Sequence, residues 1–118
     1  MSSHDGGFHT RSIHSGQDPV TGAVSVPIYQ SSTFAFENTN QGSARFAGTE
    51  DGYIYTRLGN PTIRALEDCV ANLEGGYRGL ATASGMAAVC AVYVATLGQG
   101  AHVVSSCSVY GPSRTVLE

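Results

Sequence analysis

The run from Met86 to Leu97 contains no charged residue and is apolar around the whole circumference of a helix. A helix without a polar face must be buried on every side. Short segments on both sides of it, at 79–83 and at 101–105, have the composition of β-strands. The order strand, buried helix, strand predicts a βαβ unit with a parallel sheet and a right-handed crossover.

One βαβ unit cannot bury such a helix by itself. It needs a larger sheet and a second layer, and residues 60–118 do not contain them. We therefore expect residues 60–118 to be the start of a large α/β domain, in a chain that is a fragment or one piece of a larger fold.

Two further helices are predicted. Asn60 is a favourable N-cap, and Pro61 suits the first turn of a helix. Apolar residues then recur at helical spacing until two glycines end the pattern: Ile63, Leu66, Val70, Leu73, Gly75 and Gly76. Tyr110-Gly111-Pro112 predicts the start of the other helix.

Residues 1–59 differ from the rest. They carry aromatic residues but no sustained helical periodicity, and too few aliphatic residues to form their own core. A floppy leader is one interpretation. We favour an extended arm that docks on a neighbouring subunit, because free leaders rarely carry so many aromatic residues.

The charge balance excludes some partners. The chain has 118 residues with 6 Lys+Arg against 9 Asp+Glu, a formal net charge of −3. That gives no electrostatic case for nucleic acid or an anionic membrane. The N-terminus lacks signal-peptide features, and no apolar run approaches about 18 residues, so we expect a soluble, cytoplasmic protein.

Lysine is absent, since all 6 basic residues are arginine. Any chemistry that needs a lysine amine must therefore take it from elsewhere. The 3 cysteines have no CxxC spacing, which fits a reducing compartment. Neither they nor the histidines His4, His9 and His14 match a metal-site motif, so no metal is expected.

Ser84, Gly85 and Met86 join a predicted strand to the start of a helix. Backbone N–H groups at such a turn point outward with the helix dipole behind them, which suits a phosphate group. The alternative is a simple helix cap.

Alternation predicts that Tyr53, Tyr55 and Arg57 share one face of an extended segment. A guanidinium beside a phenol can bind phosphate, although a surface arginine stacked on a tyrosine is the commoner case. Tyr110 follows the second predicted strand, where open α/β sheets bind ligands. Its alternative is an aromatic loop anchor.

Together these segments resemble the pyridoxal-phosphate enzymes of cysteine and methionine metabolism, the cystathionine γ-synthase and γ-lyase family of fold type I. The resemblance extends along nearly the whole chain. The segments that carry it are Thr10–Gly16, Val26–Phe34, Tyr55–Thr62, Leu73–Gly75, Ala83–Ala88 and Tyr110-Gly111.

The resemblance implies roles for several residues. Ser84, Gly85 and Met86 would hold the phosphate of pyridoxal 5'-phosphate, with the last two donating backbone N–H groups. Tyr55 and Arg57 would reach the phosphate in a neighbouring subunit of a homo-oligomer, a dimer of dimers. Tyr110 would stack on the pyridine ring and act as a general acid. The family's Schiff-base lysine and its pyridine-nitrogen aspartate are expected beyond residue 118.

The implied activity is that of a carbon–sulfur lyase acting on sulfur amino acids. Segments 44–48 and 52–55 look most like the methionine γ-lyases, whereas Tyr110-Gly111-Pro112 followed by Arg114 looks more like the cystathionine β-lyases. Cystathionine γ-lyase, cystathionine γ-synthase and O-acetylhomoserine sulfhydrylase are further alternatives. A hypothesis of another class is an inert phosphate-binding, dimer-forming module.

Overall fold

The computed structural model describes residues 6–15, 17–18 and 20–118. They belong to two compact units that divide between Leu80 and Ala81. The helices of the first unit are α1 (Phe8–His14), α2 (Thr39–Phe46) and α3 (Pro61–Glu74). Those of the second unit are α4 (Gly85–Thr96) and α5 (Gly111–Thr115).

The helix predicted after Gly59 is present as α3. The Asn60 side chain accepts a hydrogen bond from the N–H of Thr62, and Pro61 occupies the first turn. Gly75 ends the helix with φ of 64°, a left-handed conformation that glycine adopts without steric cost. Local sequence signals therefore define both ends of α3.

The described part of residues 1–59 is less extended than the sequence predicts, because it contains α1 and α2. Asn38 starts α2 by accepting from the N–H of Gln41, and the Gln41 side chain accepts from the N–H of Glu37. This reciprocal arrangement resembles a capping box. The sequence interpretation looked for apolar periodicity and missed this polar start signal.

α1 packs against the C-terminal half of α3. Arg11 Nη1 donates to the backbone carbonyl of Asn72 at 2.6 Å, and Asn72 Nδ2 donates to Ser15 Oγ at 2.7 Å. A guanidinium at the C-terminal end of a helix also complements the helix dipole. α3 therefore belongs to the same compact unit as the described residues before it. The start of a large domain at residue 60 stays a prediction.

Aromatic pairs hold the middle of the first unit together. The ring centroids of Phe34 and Tyr53 are 5.3 Å apart, and those of Phe36 and Phe46 are 6.0 Å apart. No hydrophobic side chain among the described residues is fully buried. The apolar stripe of α3 is exposed as well, with Leu66 58% accessible.

The second unit contains the predicted apolar helix as α4, and α5 starts where Tyr110-Gly111-Pro112 predicts a helix. The predicted burial of α4 is absent within the described part of the chain, because Val92 and Val94 are 58% and 83% exposed. An apolar helix of this kind needs a covering layer.

The strands predicted at 79–83 and 101–105 are not formed. In the described ranges the only β-type pairing is one antiparallel bridge between Thr33 and Tyr55. A strand exists only when a neighbour completes its ladder of hydrogen bonds. Segments 79–83 and 101–105 do not pair with each other, so neither satisfies this condition.

Among the described residues, no helix is long and apolar enough to cross a membrane.

Candidate functional site

The turn that the sequence predicts to bind phosphate lies at the N-terminus of α4. Ser84 has extended backbone angles, and its hydroxyl accepts from the N–H of Ala87 at 3.1 Å. The side chain of Thr82 donates to the carbonyl of Ser84 at 2.8 Å and so fixes the turn before the helix. Ser84 is thus the N-cap of α4. Both interpretations of this turn, a phosphate site and a simple helix cap, require that role.

The N–H groups of Gly85 and Met86 point out of the first turn of α4, where helices have no internal acceptors. Within the described residues, neither group donates to a protein acceptor. A Cβ atom placed on Gly85 would meet nothing within 4 Å. Two N–H groups, open space and a helix dipole together fit a phosphate group.

Tyr110 lies at the start of α5. It is the N-cap residue of α5 and its side chain is 67% exposed. Its backbone carbonyl accepts from the N–H of Ser113 at 2.9 Å. Ser113 is 5% exposed, and its hydroxyl donates to the Met86 thioether at 3.7 Å.

Ser113 therefore links α5, which begins after Tyr110, to the Met86 side chain in the first turn of α4. The sequence interpretation missed Ser113, because a serine after a proline carries no signal of a long-range contact. Its burial beside Met86 is visible only in three dimensions.

Tyr55 and Arg57 remain together in the first unit. The Arg57 guanidinium carbon lies 5.5 Å from the centroid of the Tyr55 ring, within cation–π range. Both side chains are exposed, and Arg57 makes no ion pair with any described residue. An exposed guanidinium next to a phenol can donate hydrogen bonds to a phosphate from another molecule.

Tyr53 does not share this face, although alternation predicts that it would. Its ring packs on Phe34, and burial raises its pKa above the ordinary value. The chain turns after Tyr55, whose carbonyl accepts from the N–H groups of Leu58 and Gly59 at 2.8 and 3.1 Å. The chain also bends at Ile54, between Tyr53 and Tyr55, and the alternation of an extended segment does not continue through a bend.

Other features lie apart from these residues. An open groove of about 560 Å³ in the second unit is lined by the C-terminal half of α4, residues 98–105 and the end of α5. None of the predicted site residues lines it. No group of three or more His, Cys, Asp or Glu side chains that could hold a metal ion occurs among the described residues, and His4 lies outside them.

Known proteins match this chain along nearly all of its length. The model of the Cys/Met metabolism PLP-dependent enzyme family matches residues 9–118. An L-methionine γ-lyase of Porphyromonas gingivalis is 45% identical over 106 residues, which are 89% of this chain and 27% of that protein. A cystathionine β-lyase of Coxiella burnetii is 47% identical over 111 residues, or 92% and 26% of the two chains.

A solved structure agrees with these matches. A crystal structure described as an O-acetylhomoserine (thiol)-lyase of Campylobacter jejuni contains a pyridoxyl-lysine monophosphate. It matches with a TM-score of 0.86 and 38% identity over 95% of this chain and 28% of its own. The chain thus spans about a quarter of the length of the relatives it matches.

These matches confirm both the resemblance and the expected fold type I. The chain belongs to the family of pyridoxal-phosphate-dependent enzymes of cysteine and methionine metabolism.

Proposed function

We propose that this chain is the N-terminal part of a cytoplasmic, pyridoxal-phosphate-dependent carbon–sulfur lyase that cleaves L-methionine. The reaction consumes methionine and water and releases methanethiol, 2-oxobutanoate and ammonia. The observation that carries the proposal is the pair of open N–H groups at Gly85 and Met86, in a turn to which Ser113 links the helix that begins after Tyr110. The 45% identity to a methionine γ-lyase supports the choice of substrate.

The residues of this chain bind and orient the cofactor. Gly85 and Met86 donate their N–H groups to its phosphate, and Ser84 fixes the turn that presents them. Tyr55 and Arg57 bind the phosphate in the site of a neighbouring subunit. The bound cofactor supplies the electron sink for the reaction.

Tyr110 is the residue that we propose for proton transfer. Its ring stacks on the cofactor, and its phenol donates a proton to the departing sulfur. Cleavage of a carbon–sulfur bond leaves negative charge on sulfur, so a proton donor at that atom lowers the barrier. The exposed phenol has no hydrogen-bond partner among the described residues that would compete for this proton.

A second candidate is cleavage of cystathionine at its β-carbon. The sequence after Tyr110 favours it, because Pro112 and Arg114 occur in the pattern that resembles cystathionine β-lyases, and such an enzyme is 47% identical. Both activities use the same phosphate site. They differ in the carbon at which the sulfur leaves.

The test is an assay of the full-length enzyme of which this chain is the proposed N-terminal part. Methionine, cystathionine and O-acetylhomoserine with sulfide are offered separately, and 2-oxobutanoate, pyruvate, methanethiol and homocysteine are measured. The proposal predicts the highest kcat/KM for methionine, with methanethiol and 2-oxobutanoate in equal amounts. Pyruvate and homocysteine from cystathionine as the main products would favour the second candidate.

The inert-module hypothesis needs its own test. A mass spectrum of the native protein distinguishes a polypeptide that also carries the cofactor-binding lysine from a lone chain of 12.3 kDa. The lone chain without lysine would contradict the enzyme proposal.

A further inference from the structure

Thr56 lies between Tyr55 and Arg57 and faces the opposite way. It is half-buried, whereas both of its neighbours are exposed. Its N–H donates to the carbonyl of Ser32 at 2.9 Å, and its hydroxyl donates to the carbonyl of Ser31. The backbone that carries the two exposed side chains is therefore anchored through the residue between them.

Asn60 completes this anchor. Its side-chain Nδ2 donates to Thr56 Oγ1 at 3.1 Å and to the carbonyl of Tyr29 at 2.8 Å. Its Oδ1 accepts from the N–H of Thr62 at 2.9 Å. With only 3% of its surface exposed, Asn60 is among the most buried polar residues described, and both ends of its amide are used.

The role of helix cap explains only one of these three hydrogen bonds. Capping needs an acceptor, which aspartate or serine also provides. The two hydrogen bonds from Nδ2 need a donor, and asparagine supplies a donor and an acceptor in one short side chain. The donor end of Asn60 therefore serves Thr56 in the segment 55–57 and the backbone at Tyr29, and it plays no part in capping α3.

We propose that Asn60 is a positioning residue for the phosphate contacts of Tyr55 and Arg57, acting through Thr56. This inference depends on the proposed function, in which those two side chains bind the cofactor phosphate. A phosphate is bound tightly only when its donors are already in place, since ordering a flexible segment costs free energy on binding. Asn60 ties the turn to the start of α3 and removes that cost in advance.

The decisive variant is Asn60→Asp in the full-length enzyme, because it keeps the capping oxygen and removes the donor. We measure the Kd of the apoenzyme for pyridoxal phosphate and for pyridoxal, which lacks the phosphate. The Kd for pyridoxal phosphate should rise about five- to tenfold, as expected for lost hydrogen bonds. The Kd for pyridoxal should change by less than about twofold.

Asn38→Asp is the matched control. Asn38 caps α2 through its side-chain oxygen, and its Nδ2 makes no hydrogen bond to any described residue. The same substitution there keeps a cap and removes no donor contact. Both Kd values of this variant should equal those of the wild type.

Thr56→Val keeps the inference testable if Asn60→Asp does not fold. It removes the hydroxyl at nearly constant shape, whereas Thr56→Ser retains it. Thr56→Val should raise the Kd for pyridoxal phosphate selectively, and Thr56→Ser should restore it to near the wild-type value. A rise in both Kd values for Asn60→Asp or Thr56→Val would mean a general structural role and would overturn the inference.

Arg57→Ala distinguishes a failure of the positioning role of Asn60 from a failure of the phosphate contact itself. If Arg57→Ala weakens pyridoxal phosphate selectively and Asn60→Asp does not, the proposed function stands and the positioning role is wrong. If Arg57→Ala shows no selectivity, the phosphate contact itself is wrong and the role of Asn60 fails with it. In the double variant, Asn60→Asp should add less than it does alone, because the contact it positions is already gone.

Discussion

The side-chain amide of Asn60 donates to the backbone carbonyl of Tyr29 across 2.8 Å and joins residues 31 positions apart. Thr62 strengthens the same connection, because its hydroxyl donates to the carbonyl of Pro27 and accepts from the N–H of Tyr29. The side chains of Asn60 and Thr62, at the start of α3, therefore hold the backbone of residues 27–29 in place.

Thr62→Val should loosen this connection. The valine has a similar shape but leaves the carbonyl of Pro27 and the N–H of Tyr29 without their partner. The local stability should fall by about 0.5–1.5 kcal/mol, the net value of a typical hydrogen bond, because the contact with Tyr29 is exposed to water. Hydrogen exchange at the Tyr29 amide is the direct measurement. Thr39→Val is the control, because its exposed hydroxyl makes no hydrogen bond with described residues; equal exchange in both variants would contradict the prediction.

Deprotonation of Tyr53 should lower the free energy of unfolding at alkaline pH. Burial raises its pKa in the folded chain, so the folded state keeps a proton that the unfolded state has already lost. The stabilisation is complete below about pH 10, the ordinary tyrosine pKa, and is lost as the pH rises through the raised value.

The measurement is the free energy of unfolding at about pH 9 and about pH 11, on either side of the ordinary tyrosine value. The slope of this free energy against pH, between those two values, should be steeper in the wild type than in Tyr53→Phe. Tyr77→Phe removes a phenol that is fully exposed and should retain the wild-type slope. A Tyr53→Phe slope as steep as that of Tyr77→Phe would show that Tyr53 is not responsible.

Gly85→Ala should separate folding from cofactor binding. The added Cβ meets no protein atom within 4 Å, and alanine is favoured over glycine in helices, so the apoenzyme should be at least as stable. A phosphate bound against the Gly85 N–H would collide with that methyl group. The Kd for pyridoxal phosphate should therefore rise about tenfold, the lower range for overpacking.

Gly98→Ala supplies the comparison for this variant. Gly98 follows the C-terminal end of α4 and also has open space around its Cβ position, but it lies at the opposite end of the helix dipole. Its substitution should leave cofactor affinity unchanged. Equal affinities of the two variants for pyridoxal phosphate would show that its phosphate does not bind at the N-terminus of α4.

Arg57→Ala should weaken binding of pyridoxal phosphate by about 1.5–3 kcal/mol, the value of a hydrogen bond to a charged group. Hybrids that pair this variant with a subunit lacking the cofactor-binding lysine test whose site Arg57 serves. Each such hybrid dimer contains one site with both groups intact, so part of the activity should return. The two parent homodimers, measured alone, give the baseline. Verified hybrids without recovery would place Arg57 in the site of its own subunit.

Short-range signals predicted most of the helical structure. Asn60, Pro61 and Gly75 define α3, and Ser84 defines the start of α4, because caps depend on residues a few positions apart. The strands predicted at 79–83 and 101–105 are not formed, since a strand depends on a neighbour that the local sequence does not specify. α2 was missed because its start is polar and its apolar pattern is weak.

The same contrast between short-range signals and long-range contacts applies to the candidate site. Short motifs contain Tyr55, Arg57, Ser84 and Gly85, so the sequence alone is enough to propose them as candidates. Tyr53 packs on Phe34, away from the exposed pair Tyr55 and Arg57, because the chain bends at Ile54 and the alternation ends there. Asn60 and Ser113 contribute through contacts 31 and 27 positions away, and nothing in the neighbouring residues encodes such partners.

Tyr110→Phe should affect chemistry more than folding. The substitution keeps the ring and its stacking but removes the phenolic proton. The side chain is 67% exposed, and its hydroxyl makes no hydrogen bond to a described residue, so cofactor content and Tm should barely change. Tyr93→Phe, at a residue in α4 that lines the groove, controls for the loss of a phenol elsewhere in the same unit.

General acid catalysis is typically worth about 10²–10⁴-fold, so release of thiol from methionine by Tyr110→Phe should fall by about that factor. Exchange of the substrate α-proton with solvent, which we assign to the lysine outside this chain, should fall much less. Two rates measured on one sample, deuterium uptake at the α-carbon and methanethiol release, therefore give the result. Loss of both rates together would mean that Tyr110 orients the cofactor and does not protonate sulfur. Retention of both would make the phenol dispensable, because no other function of Tyr110 in the proposed reaction needs its proton.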